Sequence, residues 1–326
     1  MILVVMHHVS GFCLESYLNK DIFTFHSIFS EFRMPLFFFV SGFVFYKDRY
    51  WDYRTICSFF KKKIPVQIIT PTIFMSISCY IHNASLLDTF LAGNKGGYWF
   101  TFVLFDFYCI YILLSYVMQF SHFLNRKHYV VIMIGVILYI LTVPQVFLYI
   151  PVNRALAGFM GIGYWRLFIF FALGTLAKYK FAKFQDLLDG NWLVPTSVCV
   201  FLLSNVFHDL LPSYTLRSLI CQFSGIIMVF SFFRRYQKCF TARTRIGNML
   251  QYIGKRTLDI YLIHYFLLPY DIKSVFSLFS HFTLAVLELF VSFSISILVI
   301  GMSLIIGNIL RINPKMEYRM WGTKQN

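Results

Sequence analysis

The run from Thr283 to Leu310 reads TLAVLELFVSFSISILVIGMSLIIGNIL, 28 residues interrupted by a single charge at Glu288. An α-helix rises 1.5 Å per residue and crosses a hydrocarbon core with ~20 mostly apolar residues. This run is long enough to span a bilayer with some tilt. Nine further runs share its character: residues 1–14, 28–46, 64–82, 99–120, 129–149, 164–179, 191–207, 217–233 and 257–270. The first and the ninth are short for a span, so the ninth, Thr257 to Tyr270, needs a turn from its flanks. The reading is an all-α, polytopic integral membrane protein with about ten transmembrane helices in a single bundle.

Composition agrees with this. Hydrophobic residues make up 58% of the chain, aromatics 20% and charged residues 13%, against about a quarter charged in a soluble domain. Forty Phe and 21 Tyr exceed what a globule of this length can pack inside, so lipid has to cover the excess. The seven Cys show neither paired spacing nor CxxC, which gives no disulfide framework and no metal site. Asn83-Ala84-Ser85 has the form of a glycosylation sequon and is read as a chance match.

A net charge of +15 would suggest nucleic acid in a soluble protein, but here its placement decides otherwise. Of the 29 Lys and Arg, 22 fall in alternate connections, from Lys47, Arg49, Arg54 and Lys61–Lys63 through to Arg311, Lys315, Arg319 and Lys324. The opposite face has Lys20, Lys95, Arg154, Arg166, Arg217 and Lys273. Cationic loops stay in the cytoplasm. The expectation is a multi-pass protein of the inner (plasma) membrane with both termini cytoplasmic, in contact with membrane lipid and not with nucleic acid.

Ionisable groups inside a span cost free energy unless paired or hydrated, so each is a functional candidate. They are His7, His8, Glu31, Arg33, Asp106, Asp259, His264 and Glu288. His7 and His8 project ~100° apart on a helix, so one of them faces the interior. A histidine titrates near neutrality and can take a proton from a hydroxyl; a mid-helix histidine is also commonly structural. Glu31 and Arg33, two apart, point away from each other. Pro35 suits a first helical turn, which would put Arg33 at the outer mouth of the second helix, or snorkelling to the interface. Ser41-Gly42, small among aromatics, suits close helix approach. Asp259, three residues after Arg256, has the spacing of a helical ion pair.

These pieces resemble the membrane acyltransferase 3 family, particularly its sugar O-acetylase (fucose 4-O-acetylase-like) branch. Phe32-Arg33-Met34-Pro35-Leu36-Phe37-Phe38-Phe39-Val40-Ser41-Gly42-Phe43 is similar to the family's second-helix signature. Leu3 to His8 resembles the end of its first-helix motif, in which a basic residue precedes the key histidine by eleven positions. That register selects His8 and places the basic residue before Met1. Tyr98-Trp99-Phe100 with Leu104 and Ile260-Tyr261-Leu262-Ile263-His264 look like two later elements. Gln67 stands where the family has an Arg near the third helix.

The resemblance implies a domain over 1–310, its first helix truncated at the N-terminus, and a cytoplasmic tail over 311–326. It implies transfer of an acyl group, by family habit acetyl, from acetyl-CoA to a hydroxyl of a sugar, polysaccharide or lipid-linked glycan. His8 would be the catalytic base or a transient acyl carrier, with Arg33, Ser41, Asp106 and His264 as supporting candidates. Lys61, Lys62 and Lys63 suit the phosphates of acyl-CoA, or equally lipid head groups; no bound cofactor is expected. Two other readings stand beside this one: an inactive family member acting as a membrane scaffold, and a secondary transporter or glycan flippase. The transporter would show Gly/Pro-broken helices at matching places in two halves, and none is visible in the sequence.

Overall fold

The computed structural model describes residues 1–14, 25–120, 127–143, 153–206, 213–269 and 281–322. Lys20, Arg126, Lys273 and Lys324, counted above among the loop charges, lie outside them, as does the side chain of Glu288. The described residues are helical with no strand, and the described part of each of the ten apolar runs falls on helix. Four helices are long and apolar enough to cross a membrane: Tyr53–Ile81, Trp99–Met118, Tyr214–Arg235 and Leu289–Leu310. Two bent pairs, Arg154–Met160 with Ile162–Tyr179 and Phe181–Leu188 with Leu193–Asn205, raise this to six if each pair is one span. The expected count of ten rested on hydropathy and on the alternation of loop charge. Runs such as Ile2–Phe12, Lys127–Thr142 and Thr257–Leu267 are apolar but short.

The chain forms two compact units, Met1–Met34 with Asp186–Ile312, and Pro35–Gln185 with Asn313–Asn326. In the first unit, α1 (Ile2–Val9) continues through a widened turn at Ser10–Leu14. α2 (Phe25–Phe45) begins in this unit and runs without a break past Pro35. Pro35 therefore sits inside the helix and not at its opening, which corrects the reading of Arg33 as the helix mouth. Proline costs an intrahelical hydrogen bond, and the helix passes through it because Phe32, Pro35, Phe38 and Phe39 are all buried.

The second unit holds α2 from Pro35 on and α3 (Tyr53–Ile81). Next come α4 (Leu86–Leu91), α5 (Trp99–Met118), α6 (Lys127–Thr142), α7 (Arg154–Met160) and α8 (Phe168–Tyr179). α3 is capped by Asp52, whose carboxylate accepts from the Thr55 N–H at 2.9 Å. Its middle widens at Pro65–Ile69. Before that turn no residue is buried. After it, Thr70, Pro71, Phe74, Met75 and Cys79 form a buried stripe.

Backbone approach organises this unit. A Cβ on Gly42 would lie 2.1 Å from the Phe171 carbonyl oxygen, and one on Gly174 would lie 2.1 Å from that of Phe39. α2 and α8 thus cross through two reciprocal glycines, the close contact expected from Ser41-Gly42. Between lipid-solvated helices, packing replaces the hydrophobic drive, and small residues set how close they come. α15 (Pro314–Trp321) closes onto the same unit, where the Thr70 hydroxyl donates to the Met320 carbonyl at 3.0 Å.

The first unit continues with α9 (Phe181–Leu188, its end), α10 (Leu193–Val206), α11 (Tyr214–Arg235) and α12 (Arg245–Lys255). α13 (Thr257–Ile263) tightens into a narrower turn at His264–Leu267, and α14 (His281–Leu310) follows. Arg234 donates to both oxygens of Asp189 at 2.8 and 2.7 Å, holding that exposed carboxyl below its usual range. Gly174→Ala is expected to force α2 and α8 apart and to destabilise the protein by about 1–3 kcal/mol. Thermal unfolding of the detergent-solubilised chain checks this, and an unchanged midpoint would refute the crossing.

Candidate functional site

α1 is pinned by its apolar side. Val5 and Val9 pack with Ile260, Leu268, Val299 and Ile300, a buried cluster joining α1, α13 and α14. With those valines inward, His8 is turned toward the start of the tightened segment that ends α13. Its Nε2 shares a hydrogen bond with the Tyr265 hydroxyl at 3.0 Å. The His264 ring lies 5.2 Å from His8 and 4.1 Å from Tyr265, between centroids. His7 meets His8 edge-on at 5.3 Å, and Phe12 stacks on it at 5.9 Å.

His264 is fully buried, and its Nδ1 donates to the Ile260 carbonyl at 2.9 Å. A carbonyl only accepts, so in the neutral ring the proton sits on Nδ1 and leaves Nε2 as an acceptor. That Nε2 is buried with no hydrogen-bond partner among the described residues. Arg33 is in electrostatic reach of Tyr265, and its Nε and Nη1 are likewise buried without a partner. The site thus gathers a histidine bonded to a phenol, a second histidine with an open acceptor, and a guanidinium with open donors.

Asp259 does not join them. It is fully buried and braced by Arg311, at 2.6 and 3.0 Å, and by Arg256 at 3.2 Å. A Cβ on Gly307 would come within 3.0 Å of the Asp259 side chain, so α14 lies close against it. The ion-pair spacing read from the sequence is therefore real, and Arg311 completes it from 52 residues away.

The remaining candidates belong to the second unit. Ser41 is half-buried beside Gly42 on the α2–α8 crossing. Asp106 is half-buried on α5, in reach of Lys95 and of the Trp165 indole, whose N–H makes no hydrogen bond of normal geometry. Lys95 is itself buried, with its ammonium donating to the carbonyls of Phe90 at 2.9 Å and Gly158 at 3.1 Å. The rings of Phe90, Phe102 and Phe159 surround it at 5.3–5.7 Å. Burial pulls this amine below its ordinary range, and Asp106 partly restores it. The lysine trio divides: Lys61 and Lys62 are exposed, while Lys63 reaches within 5.5 Å of the Tyr108 ring. Tyr108 also contacts the buried side chain of Gln67.

A family profile described as an acyltransferase domain matches residues 1–306. The chain belongs to the membrane acyltransferase 3 family. Neither a curated protein nor a solved structure gives a significant match. Within this acyltransferase 3 domain, His8, Arg33 and His264 fall in one unit around Tyr265, which the sequence reading did not single out. Adjacent helical residues diverge, so nothing in the sequence aimed Tyr265 and His264 at the same place. The narrowing of the helix at His264 brings both rings against His8. Asp259→Asn is expected to leave Arg311 and Arg256 without their counter-charge and to cost about 3–5 kcal/mol. A lowered unfolding midpoint would confirm the brace, and wild-type stability would refute it.

Proposed function

We propose that this acyltransferase 3 protein moves an acetyl group from acetyl-CoA to a hydroxyl of a sugar or glycan, with His8 as the base. The observation that supports the reading is the 3.0 Å contact between His8 Nε2 and the Tyr265 hydroxyl, beside the unpartnered donors of Arg33. Neutral His8 takes the proton of the acceptor hydroxyl as its oxygen attacks the thioester carbonyl. The C–S bond then breaks, and the departing thiolate recovers the proton from the imidazolium. Tyr265 orients the imidazole, a role a third group commonly fills beside a catalytic base. Arg33 supplies the donors that an oxyanion needs in a site of low dielectric.

In this proposal Lys61, Lys62 and Lys63 attract the phosphates of the donor from the cytoplasm. In the same proposal both termini lie on that side of a plasma membrane crossed about ten times, a reading the loop charges support. Base-labile acetate on envelope glycans tests the reading in cells carrying the intact gene, the deletion, His8→Ala or Tyr265→Phe. His8→Ala is expected to lower the acetate at least about 100-fold and Tyr265→Phe about tenfold, each with normal protein in the membrane. Acetate unchanged on deletion would overturn the proposal in favour of a scaffold or a transporter.

A further inference from the structure

One polar cluster in the first unit takes no part in the scheme above. It lies where the first part of α2 meets the start of α11 and is built around Glu31. The carboxylate accepts from the Ser218 hydroxyl at 2.7 Å and from the Tyr214 hydroxyl at 3.2 Å. Arg217 Nη2 stands 3.6 Å from it, an ion pair too long for a hydrogen bond. Gln222 Nε2 donates to Ser218 at 2.8 Å, which completes a directed chain from Gln222 through Ser218 to Glu31.

Two capacities in this cluster are unused. Gln222 is 9% exposed, and its Oε1 is buried without a partner among the described residues, as is Arg217 Nε. An open acceptor on a nine-tenths buried amide and an open donor on a neighbouring guanidinium each carry a desolvation cost if nothing binds there. Glu31 balances the charge of Arg217, so neither an anion nor a cation is favoured. A hydroxyl can answer either one, since it donates and accepts, and a ligand with several hydroxyls can answer both. The Tyr214 ring, 63% exposed, adds an apolar face with a polar tip at the edge of the cluster.

We propose that Glu31, Tyr214, Arg217, Ser218 and Gln222 form a subsite for an uncharged, hydroxyl-rich ligand, a neutral sugar unit of the acceptor. The cluster begins at Tyr214, the first residue of α11, and the opposite end of that helix carries Arg234 and Arg235. Basic ends stay in the cytoplasm, so the subsite faces the opposite side, where a glycan would be met. Glu31 and Arg33 project ~200° apart on α2. The subsite and the His8–Tyr265 group therefore lie on different flanks of one helix, and the sugar unit held at Gln222 is not the one acylated.

The assignment of this sugar to the acceptor rests on the acyltransferase reading, but its binding is measurable without transfer. Full-length protein in lipid nanodiscs is applied to an array of neutral mono- to pentasaccharides, as wild type, His8→Ala, Gln222→Leu, Arg217→Met and Tyr214→Ala. Wild type and His8→Ala are expected to bind the same glycans. The three cluster variants are expected to weaken binding at least about tenfold, the loss of one charge-assisted hydrogen bond or one stacking face. Tyr214→Ala alters a largely exposed ring and serves as the variant that keeps the fold, checked by its unfolding midpoint. Absence of any neutral glycan bound by wild type, or cluster variants binding as wild type does, would overturn the subsite. Glycan binding without acetyl transfer would instead overturn the acyltransferase scheme and leave the subsite standing.

Discussion

Hydrocarbon offers no hydrogen bonds, so every polar group carried into a span has to find its partner within the protein. The helices of this chain meet that demand mostly with their own backbones. Thr72, Ser76, Thr142, Ser224 and Ser303 each turn a hydroxyl back to the carbonyl four residues earlier. Such bonds keep small polar residues in apolar helices without asking anything of a neighbour. Groups too long or too charged for this solution become the informative ones. Asp259 is answered by two arginines and Lys95 by two carbonyls and three rings. Arg33, His264 and Gln222 keep a buried atom unanswered. Of the candidate site, Arg33 and His264 belong to that last group, beside the bonded pair of His8 and Tyr265.

Much of this was legible in the sequence because hydropathy reports directly on helices in lipid. Within the described residues each apolar run falls on helix, and the small pair Ser41-Gly42 became a crossing. The number of full-length spans was not legible in the same way. A run such as Thr257 to Tyr270 has the apolarity of a span without its length, and the bends at Gly161 and after Leu188 have no counterpart in a hydropathy average. The amphipathic first half of α3, from Tyr53 to Ile64, fell between runs because its charged face lowers its mean hydropathy.

The site was legible in part for the same reason. His8, Arg33 and His264 stood out because charge and imidazole are rare in spans. Tyr265 did not, since a tyrosine among 21 is unremarked until a tight turn points it at a histidine. Arg311 and Ser218 act across 52 and 187 residues of sequence, distances at which one chain without its fold gives no signal. Lys63 differs from Lys61 and Lys62 only by its helical phase, which decides that it turns toward Tyr108 while they stay outside.

The widened turn at Pro65–Ile69 amounts to one extra residue inserted into α3. An insertion of that kind changes the phase of everything beyond it by ~100°. The stripe of Thr70, Phe74, Met75 and Cys79 faces inward only because that phase has been reset. Closing the turn with all its residues kept would swing the stripe by ~100°, whereas deleting one residue along with the turn would leave it facing inward. The turn therefore acts as a gear between the two halves of α3, letting the lysine-bearing half and the membrane-buried half keep separate registers on one continuous rod.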